Sequence, residues 1–132
     1  MSTRSYTYYN NNPQKHNASD CVVRSIARAT KQPWLIVFLG LVKIAMCDGW
    51  MPNDSPVYEK YLQENGWKKM KQPMYKGRVI NGKTFLKRIR RKTDIIVSIG
   101  KQHLTVISNG KFRDTWDCSN EVVGNYWVKK KC

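Results

Sequence analysis

Acidic residues are scarce in this chain. Only 9 of its 132 residues are Asp or Glu, against 24 Lys and Arg, so the formal net charge is +15 at pH 7. A hydrophobic share of 41% and a charged share of 25% nevertheless exclude a disordered chain. The positive field either serves solubility alone or attracts a polyanion: nucleic acid, an anionic membrane or cell-wall surface, or an acidic protein.

Long apolar segments are also missing. The most apolar run, residues 34–47, is interrupted by Lys43 and is shorter than the ~20 residues of a membrane-spanning helix. We therefore expect a buried helix there and no membrane span. The first residues of the chain contain no apolar stretch typical of a signal peptide, which predicts an intracellular protein.

Closely paired cysteines are absent as well. The chain has four cysteines and no Cys-x-x-C pair, a pattern that argues against a disulfide framework and against a zinc site. We expect neither a metal nor another cofactor, and each thiol has to be judged by its own surroundings. The four thiols are Cys21, Cys47, Cys118 and Cys132.

The length of the chain suits one domain with a single core. Residues 1–17 are rich in Tyr, Asn and Ser and predict an irregular arm, and residues 18–132 form the domain. Asp20 predicts a helix N-cap, which places Cys21 in the first turn of a helix. Pro33 starts a second helix that is apolar around most of its circumference, and we expect it to be the central core element.

Helical patterns give way to strand patterns along the chain. A third helix after Asp54 or Ser55 should end at Gly66. Residues 67–92 are basic and contain one helical pattern, residues 84–91. Segments with strand character follow at residues 95–99, 103–108, 111–116 and 126–130. Helices followed by an antiparallel sheet predict an α+β fold.

The dipeptide Asn109-Gly110 predicts a type I′ hairpin between the two middle strands. A two-residue loop pairs residues 108 and 111, 106 and 113, 104 and 115, and 103 and 116. Alternation along the strands then places His103 and Asp114 on one face as diagonal neighbours, so that the carboxylate can orient the imidazole. By the same alternation, Asp117 lies on the opposite face of the strand and is the second choice for the residue that orients His103.

A thiol in the first turn of a helix meets the positive end of the helix dipole and free backbone N–H groups, which favour thiolate. Cys21 is therefore a candidate nucleophile, with His103 as its base and Asp114 as the group that orients the base. The backbone N–H of Cys21 and an amide from the preceding arm, Asn17 first and Gln14 second, are candidates for an oxyanion hole. A plain alternative stays open, because most helical cysteines are small buried side chains.

Three segments carry a more specific pattern. They are Asn17-Ala18-Ser19-Asp20-Cys21-Val22-Val23-Arg24-Ser25-Ile26-Ala27, Thr84-Phe85-Leu86, and His103-Leu104-Thr105-Val106-Ile107 with Gly110 and Arg113-Asp114-Thr115-Trp116-Asp117. Together they resemble small bacteriophage-encoded proteins of the papain-like cysteine-peptidase type. The resemblance implies a papain-like fold with Cys21 as nucleophile, His103 as base and Asp114 as third member. It also implies a phage origin, and hence action in the cytoplasm of a bacterial host cell.

The segment between Glu64 and Asp94 contains no acidic residue. Trp67, Met74 and Tyr75 interleave with its basic residues and could offer stacking surfaces to a polynucleotide. An acidic protein partner or a merely solvated loop fits the same pattern. The basic residues are Lys68, Lys69, Lys71, Lys76, Arg78, Lys83, Lys87, Arg88, Arg90, Arg91 and Lys92.

Two functions follow from these observations. The first is an enzyme, a papain-like cysteine hydrolase or transferase that acts on a peptide, isopeptide or amide bond of a polypeptide substrate through an acyl-thioester. The alternative is a non-catalytic phage inhibitor, whose basic surface binds nucleic acid or an acidic, nucleic-acid-handling host protein. The reactivity of Cys21 distinguishes the two, and the sequence favours the enzyme.

Overall fold

A mostly antiparallel sheet and four helices make up the described part of the chain, residues 4–89 and 92–130 of the computed structural model. The helices are α1 (Cys21–Thr30), α2 (Trp34–Asp48), α3 (Ser55–Glu64) and α4 (Gly82–Arg88). The strands are β1 (Tyr6–Tyr8), β2 (Trp67–Met70), β3 (Met74–Tyr75), β4 (Arg78–Val79), β5 (Ile95–Ile99), β6 (His103–Ser108), β7 (Lys111–Asp114) and β8 (Val123–Lys129). The predicted α+β class is confirmed.

Six of these strands form one sheet in the order β1-β7-β6-β5-β8-β2, while β3 and β4 form a separate hairpin. The central strand β5 is apolar on both faces because both faces are covered. Ile96 packs in a cluster with α1, α2 and α3. Ile95 and Val97 pack in a second cluster that includes Phe85 of α4. The sheet therefore lies between two apolar layers.

The predicted hairpin between β6 and β7 is confirmed. Asn109 and Gly110 both have positive φ, 51° and 75°, as a type I′ turn requires. The register pairs Ser108 with Lys111 and Val106 with Arg113. Strand β7 ends at Asp114, two residues earlier than the pattern predicts, so the ladder stops before the expected pairs at 104–115 and 103–116.

The N-terminal arm is more ordered than the sequence predicts. Its strand β1 adds to the edge of the sheet by parallel pairing with β7. Tyr6 is buried there, and its hydroxyl donates to the carbonyl oxygen of Asp114 at 3.2 Å. The expectation of an irregular arm over residues 1–17 is therefore wrong for β1, because the open edge of β7 offers backbone partners that no local pattern reveals.

Helix α2 is a surface helix and not the predicted central core element. Only Val37, Leu41 and Ala45 are buried, since a helix packed on one side buries one stripe. The outward side is apolar too, with Leu35 and Leu39 each more than half exposed. No single helix of the described residues has the length and apolar composition to cross a membrane, although α1 and α2, bent by 119°, pass that test as a pair.

The basic segment of residues 67–92 also holds more structure than its sequence predicts. Strand β2 pairs with β8, which starts three residues earlier than its pattern suggests. Trp67 of β2 is 4% exposed, because it packs in the cluster under α3. The predicted helix of residues 84–91 is observed as Gly82–Arg88, with the Asn81 side chain accepting the Thr84 N–H at 2.9 Å as its cap.

Candidate active site

Cys21 is the first residue of α1, as predicted. Asp20 occupies the N-cap position, but its side chain makes no capping hydrogen bond. Its carboxylate instead accepts from Arg24 Nε at 2.8 Å, Asn12 Nδ2 at 3.0 Å and Trp34 Nε1 at 2.9 Å. The first turn of α1 therefore keeps uncapped backbone N–H groups around the thiol.

His103 is the first residue of β6 and joins the thiol to a carboxylate. Its Nε2 lies 2.6 Å from Oδ2 of Asp114. His103 and Cys21 line the same cleft, and His103 lowers the pKa of the Cys21 thiol. Because Nε2 is engaged by Asp114, Nδ1 is the ring nitrogen left for the thiol. The ring of Trp116 covers the imidazole, with the ring centroids 4.9 Å apart.

The surroundings favour an ion pair between Cys21 and His103. Burial alone would raise the pKa of Cys21, but hydrogen bonds from His103 and the Leu104 backbone, with the charges of His103 and Arg24, lower it. Burial works against the imidazolium, yet hydrogen bonds with Asp114, Cys118 and Cys21 raise the pKa of His103 to about 11. Both directions favour thiolate and imidazolium at neutral pH.

Asp114 is the buried anion behind the imidazole. Its side chain is 1% exposed, and its Oδ1 accepts from Arg24 Nη1 at 3.0 Å and from the Thr115 N–H at 2.7 Å. Burial would raise the pKa of this carboxyl, but His103, Thr105 and Arg24 together lower it. Asp114 is therefore an ionised carboxylate that accepts a hydrogen bond from the protonated Nε2 of the His103 ring.

Arg24 links two buried carboxylates through one guanidinium. It donates to Asp20 from Nε and to Asp114 from Nη1, and its own side chain is 8% exposed. Hydrogen bonds to these carboxylates raise the pKa of Arg24 although burial lowers it. Arg24 is a functional residue that the sequence pattern does not single out, since an arginine in a helix usually points to solvent. Its only sequence signal is the i, i+4 spacing to Asp20.

Asp117, the second choice for the third member, has a different role. Its Oδ1 accepts the backbone N–H of Ser119 at 3.1 Å and the hydroxyl of Ser119 at 2.5 Å. It therefore shapes the turn after β7. The structure brings Asp114, and not Asp117, to the imidazole.

Cys118 is a buried neighbour of the site that the sequence analysis missed. Its Sγ lies 3.6 Å from Oδ2 of Asp114, and burial raises the pKa of this thiol. Donor atoms of His103, Asp114 and Cys118 all lie within 4.8 Å of one another, a spacing that could hold a metal ion. The guanidinium of Arg24 beside Asp114 and the complete burial of Cys118 oppose the entry of a cation.

A cleft of about 450 Å³ opens beside Cys21 and His103. Burial, with the charges of Glu59 and Cys21, raises the pKa of Tyr58 in its wall to about 12, so the hydroxyl stays a donor. Asn17 and Gln14, the predicted oxyanion donors, are exposed and are not among the residues that line this cleft. The lining includes Trp50, Asn53, Asp54, Tyr58 and Gln102.

The basic residues lie on the surface as far as the structure describes them. Arg90 and Arg91 fall outside the described residues, and the other nine are all exposed. Arg88 stacks over the Tyr75 ring at 3.9 Å from its centroid, and Lys69 pairs with Glu59 at 3.1 Å. The idea that Trp67 offers a stacking surface is wrong, because its indole is buried.

Comparison with known proteins adds no identification. No family model, no curated protein and no solved structure matches the chain.

We expect Asp114→Asn to slow alkylation of Cys21 by iodoacetamide at pH 6 by about tenfold or more, the effect of one pKa unit on thiolate content. The neutral amide cannot stabilise the imidazolium, so the pKa of His103 falls and the thiolate loses its partner. Asp117→Asn is the matched control and should leave the rate within about twofold, since the amide oxygen still accepts from Ser119. Equal slowing by both variants, with both folded by circular dichroism, would contradict the assignment.

We expect Arg24→Lys to lower the free energy of unfolding in urea by about 2 kcal/mol, because one ammonium cannot reproduce the two-sided contact with Asp20 and Asp114. Arg78→Lys, the same exchange at an exposed position on β4, should change it by less than about 0.5 kcal/mol. The pH midpoint of Cys21 alkylation should also rise in Arg24→Lys alone. An unchanged midpoint would reduce Arg24 to a purely structural role.

Proposed function

We propose that this protein is a papain-like cysteine hydrolase or transferase that acts on a peptide, isopeptide or amide bond. One observation carries the proposal: the Cys21 thiol, at the first turn of α1, lines the same cleft as His103, whose Nε2 lies 2.6 Å from Asp114. Nucleophile, base and orienting group are the three parts of covalent catalysis by a thiol.

The chemistry follows from the resting ion pair. The Cys21 thiolate attacks the carbonyl carbon, a C–S bond forms, and the carbonyl oxygen becomes an oxyanion. His103 then gives its proton to the leaving nitrogen as the C–N bond breaks, which leaves an acyl-thioester. Water or an acceptor amine attacks the thioester carbonyl and gives its proton to His103, and the C–S bond breaks to restore the thiolate. Asp114 stays ionised throughout and holds Nε2.

The oxyanion needs donors close to the thiol. The backbone N–H of Cys21 has no acceptor within the helix, because it occupies the first helical position. The hydroxyl of Tyr58 and the amides of Asn53 and Gln102 line the same cleft and are the side-chain candidates that we place first. Asn17 and Gln14 would have to move to serve, so we place them second.

The order of elements is consistent with a papain-like arrangement. The helix that begins with the cysteine precedes every strand of the sheet except β1, and β6 and β7 then bring the imidazole and the carboxylate. The phage origin, and action in the cytoplasm of a bacterial host on a host polypeptide, rest on the sequence resemblance alone and are part of the proposal.

Iodoacetamide should alkylate Cys21 faster than Cys47 at pH 6, measured by mass spectrometry of the derived peptides. Cys47 is the more exposed thiol, so faster reaction at Cys21 reports thiolate content and not access. His103→Ala should abolish the advantage of Cys21 and leave the rate at Cys47 unchanged. A rate at Cys21 no higher than at Cys47 at this pH would refute the catalytic proposal.

The basic surface favours a second function, nucleic-acid binding. Nine exposed cations of one segment, without an acid between Glu64 and Asp94, form this surface. The exposed Met74 and Tyr75 lie among them, and Arg88 already stacks on Tyr75. A protein that acts only by binding a nucleic acid, or by binding a host protein that handles nucleic acid, would need this surface and not the thiol.

If this surface binds DNA or RNA, Lys87→Glu with Arg88→Glu should abolish the shift in a gel at low salt. Wild-type affinity should fall steeply with salt, by a log–log slope of about −0.9 for each duplex phosphate contacted. Lys43→Glu with Lys101→Glu reverses the same charge elsewhere and should retain most binding. Equal losses in both pairs would mean attraction by net charge alone, and no shift on duplex, single strand or RNA would leave an acidic protein as the partner.

A further inference from the structure

A second cavity, larger than the cleft at the thiol, lies at the other end of α1. It has a volume of about 840 Å³ and is half open to solvent. Its wall includes the last turn of α1, from Ala27 to Thr30, whereas Cys21 begins that helix. Ten helical residues rise about 15 Å. The two spaces share no lining residue, so this cavity is a site distinct from the proposed catalytic one.

Positive charge from four separate parts of the chain converges on this cavity. Arg28 comes from α1, Lys31 from the turn after it, Lys92 from the segment before β5 and Lys129 from β8. Among the described residues of the lining, Asp94 is the one acid. None of the four cations takes part in an ion pair with another described residue. An anionic occupant would relieve their mutual repulsion.

Arg28 is held in place before any ligand arrives. Its guanidinium lies over the Tyr9 ring at 5.0 Å from the centroid, and its Nε donates to the Ser108 hydroxyl at 3.1 Å. These contacts use one face and one nitrogen of the group. The two terminal nitrogens form the planar fork that suits the oxygens of a phosphate, and little freedom is lost when they bind.

Two buried polar atoms of the lining have no partner among the described residues. The indole N–H of Trp67 lacks an acceptor, and Oδ1 of Asn11 lacks a donor. Trp67 is 4% exposed, and the Lys129 ammonium lies over its ring at 5.7 Å from the centroid. Unpaired buried polar atoms are uncommon in folded proteins. Both atoms lie beneath the accessible wall of the cavity, so an occupant would reach them only after a side-chain movement.

We propose that this cavity binds a nucleotide through its phosphate groups. The volume lies within the roughly 300–1,000 Å³ of sites that enclose small organic ligands. The four cations match the charge of a di- or triphosphate. Tyr9 and Trp34 are aromatic residues of the wall; Arg28 covers one face of the first and Phe38 one face of the second, which leaves the rest of each ring for a base. Two sources share this chemistry, a free nucleotide and the phosphorylated end of a nucleic-acid strand.

The test is a titration of the intact chain with ATP, followed by tryptophan fluorescence at physiological salt, with adenosine as the uncharged probe. We expect ATP to bind and adenosine not to bind. Lys92→Gln with Lys129→Gln, both exposed, should weaken ATP by about tenfold or more. Arg28→Gln should do the same. Lys76→Gln with Lys83→Gln removes the same charge outside the cavity and should weaken ATP by less than about threefold.

Competition with oligonucleotides then separates the two sources. Displacement of ATP by a 5′-phosphorylated oligonucleotide, but not by its unphosphorylated form, supports the strand end. Displacement by neither supports a free nucleotide. Absence of ATP binding, or equal weakening by the cavity pair and the control pair, would overturn the proposal. Alkylation of Cys21 should be unchanged in the cavity variants, so this test stands apart from that of the thiol.

Discussion

The buried guanidinium of Arg24 stabilises the other ionised groups of the candidate active site. Removing an ion from water costs several kcal/mol, and this cost is offset only when partners surround the ion closely. Arg24 bridges Asp20 and Asp114, and Asp114 in turn binds His103. The charges of these four groups cancel only when the imidazole is protonated. Asp20 therefore balances the charge of Arg24, so that Arg24 does not oppose the imidazolium. In these surroundings the buried carboxylate of Asp114 stays ionised and the imidazole of His103 keeps its proton. The same imidazolium lowers the pKa of the Cys21 thiol and so favours the thiolate.

The same network ties the helix that carries the nucleophile to the strand that carries the acid. Cys21 and Arg24 lie three residues apart on α1, so contact between Arg24 and Asp114 fixes the position of the thiol relative to β7. Asp20 adds Trp34 of α2 to the group, and Tyr6 of β1 binds the backbone of Asp114 from the other side. Ser25 fastens the middle of α1 to β6 by donating to the carbonyl oxygen of Leu104 at 2.9 Å. Position and charge at the thiol thus depend on the same few contacts.

The features that depend on interactions between residues close in the chain could be predicted from the sequence. The Asn109-Gly110 turn fixed the register of β6 and β7, and alternation along those strands then placed Asp114 and not Asp117 near His103. Long-range pairing left no such signal. Strand β1 joins β7 across about a hundred residues, and its sequence alone does not reveal an open edge. Burial of Trp67 and exposure of one side of α2 depend on which faces other elements cover. From the sequence alone Arg24 resembles a surface arginine, because only the folded structure brings the carboxylates of Asp20 and Asp114 to its guanidinium.

The strong positive charge of the surface and the chemistry of the thiol can act independently. Among the described residues that line the cleft at Cys21 there is no Lys or Arg, and Asp54 is its one acid. The cations lie instead on the segment after Glu64 and around the cavity at the far end of α1. Charges on the surface are screened over about 8 Å at physiological salt, whereas the buried network at Asp114 is screened much less. The pKa of the thiol is therefore set by its burial, which raises it, and by His103, the Leu104 backbone and Arg24, which lower it. A polyanion bound elsewhere on the surface would leave these influences in place.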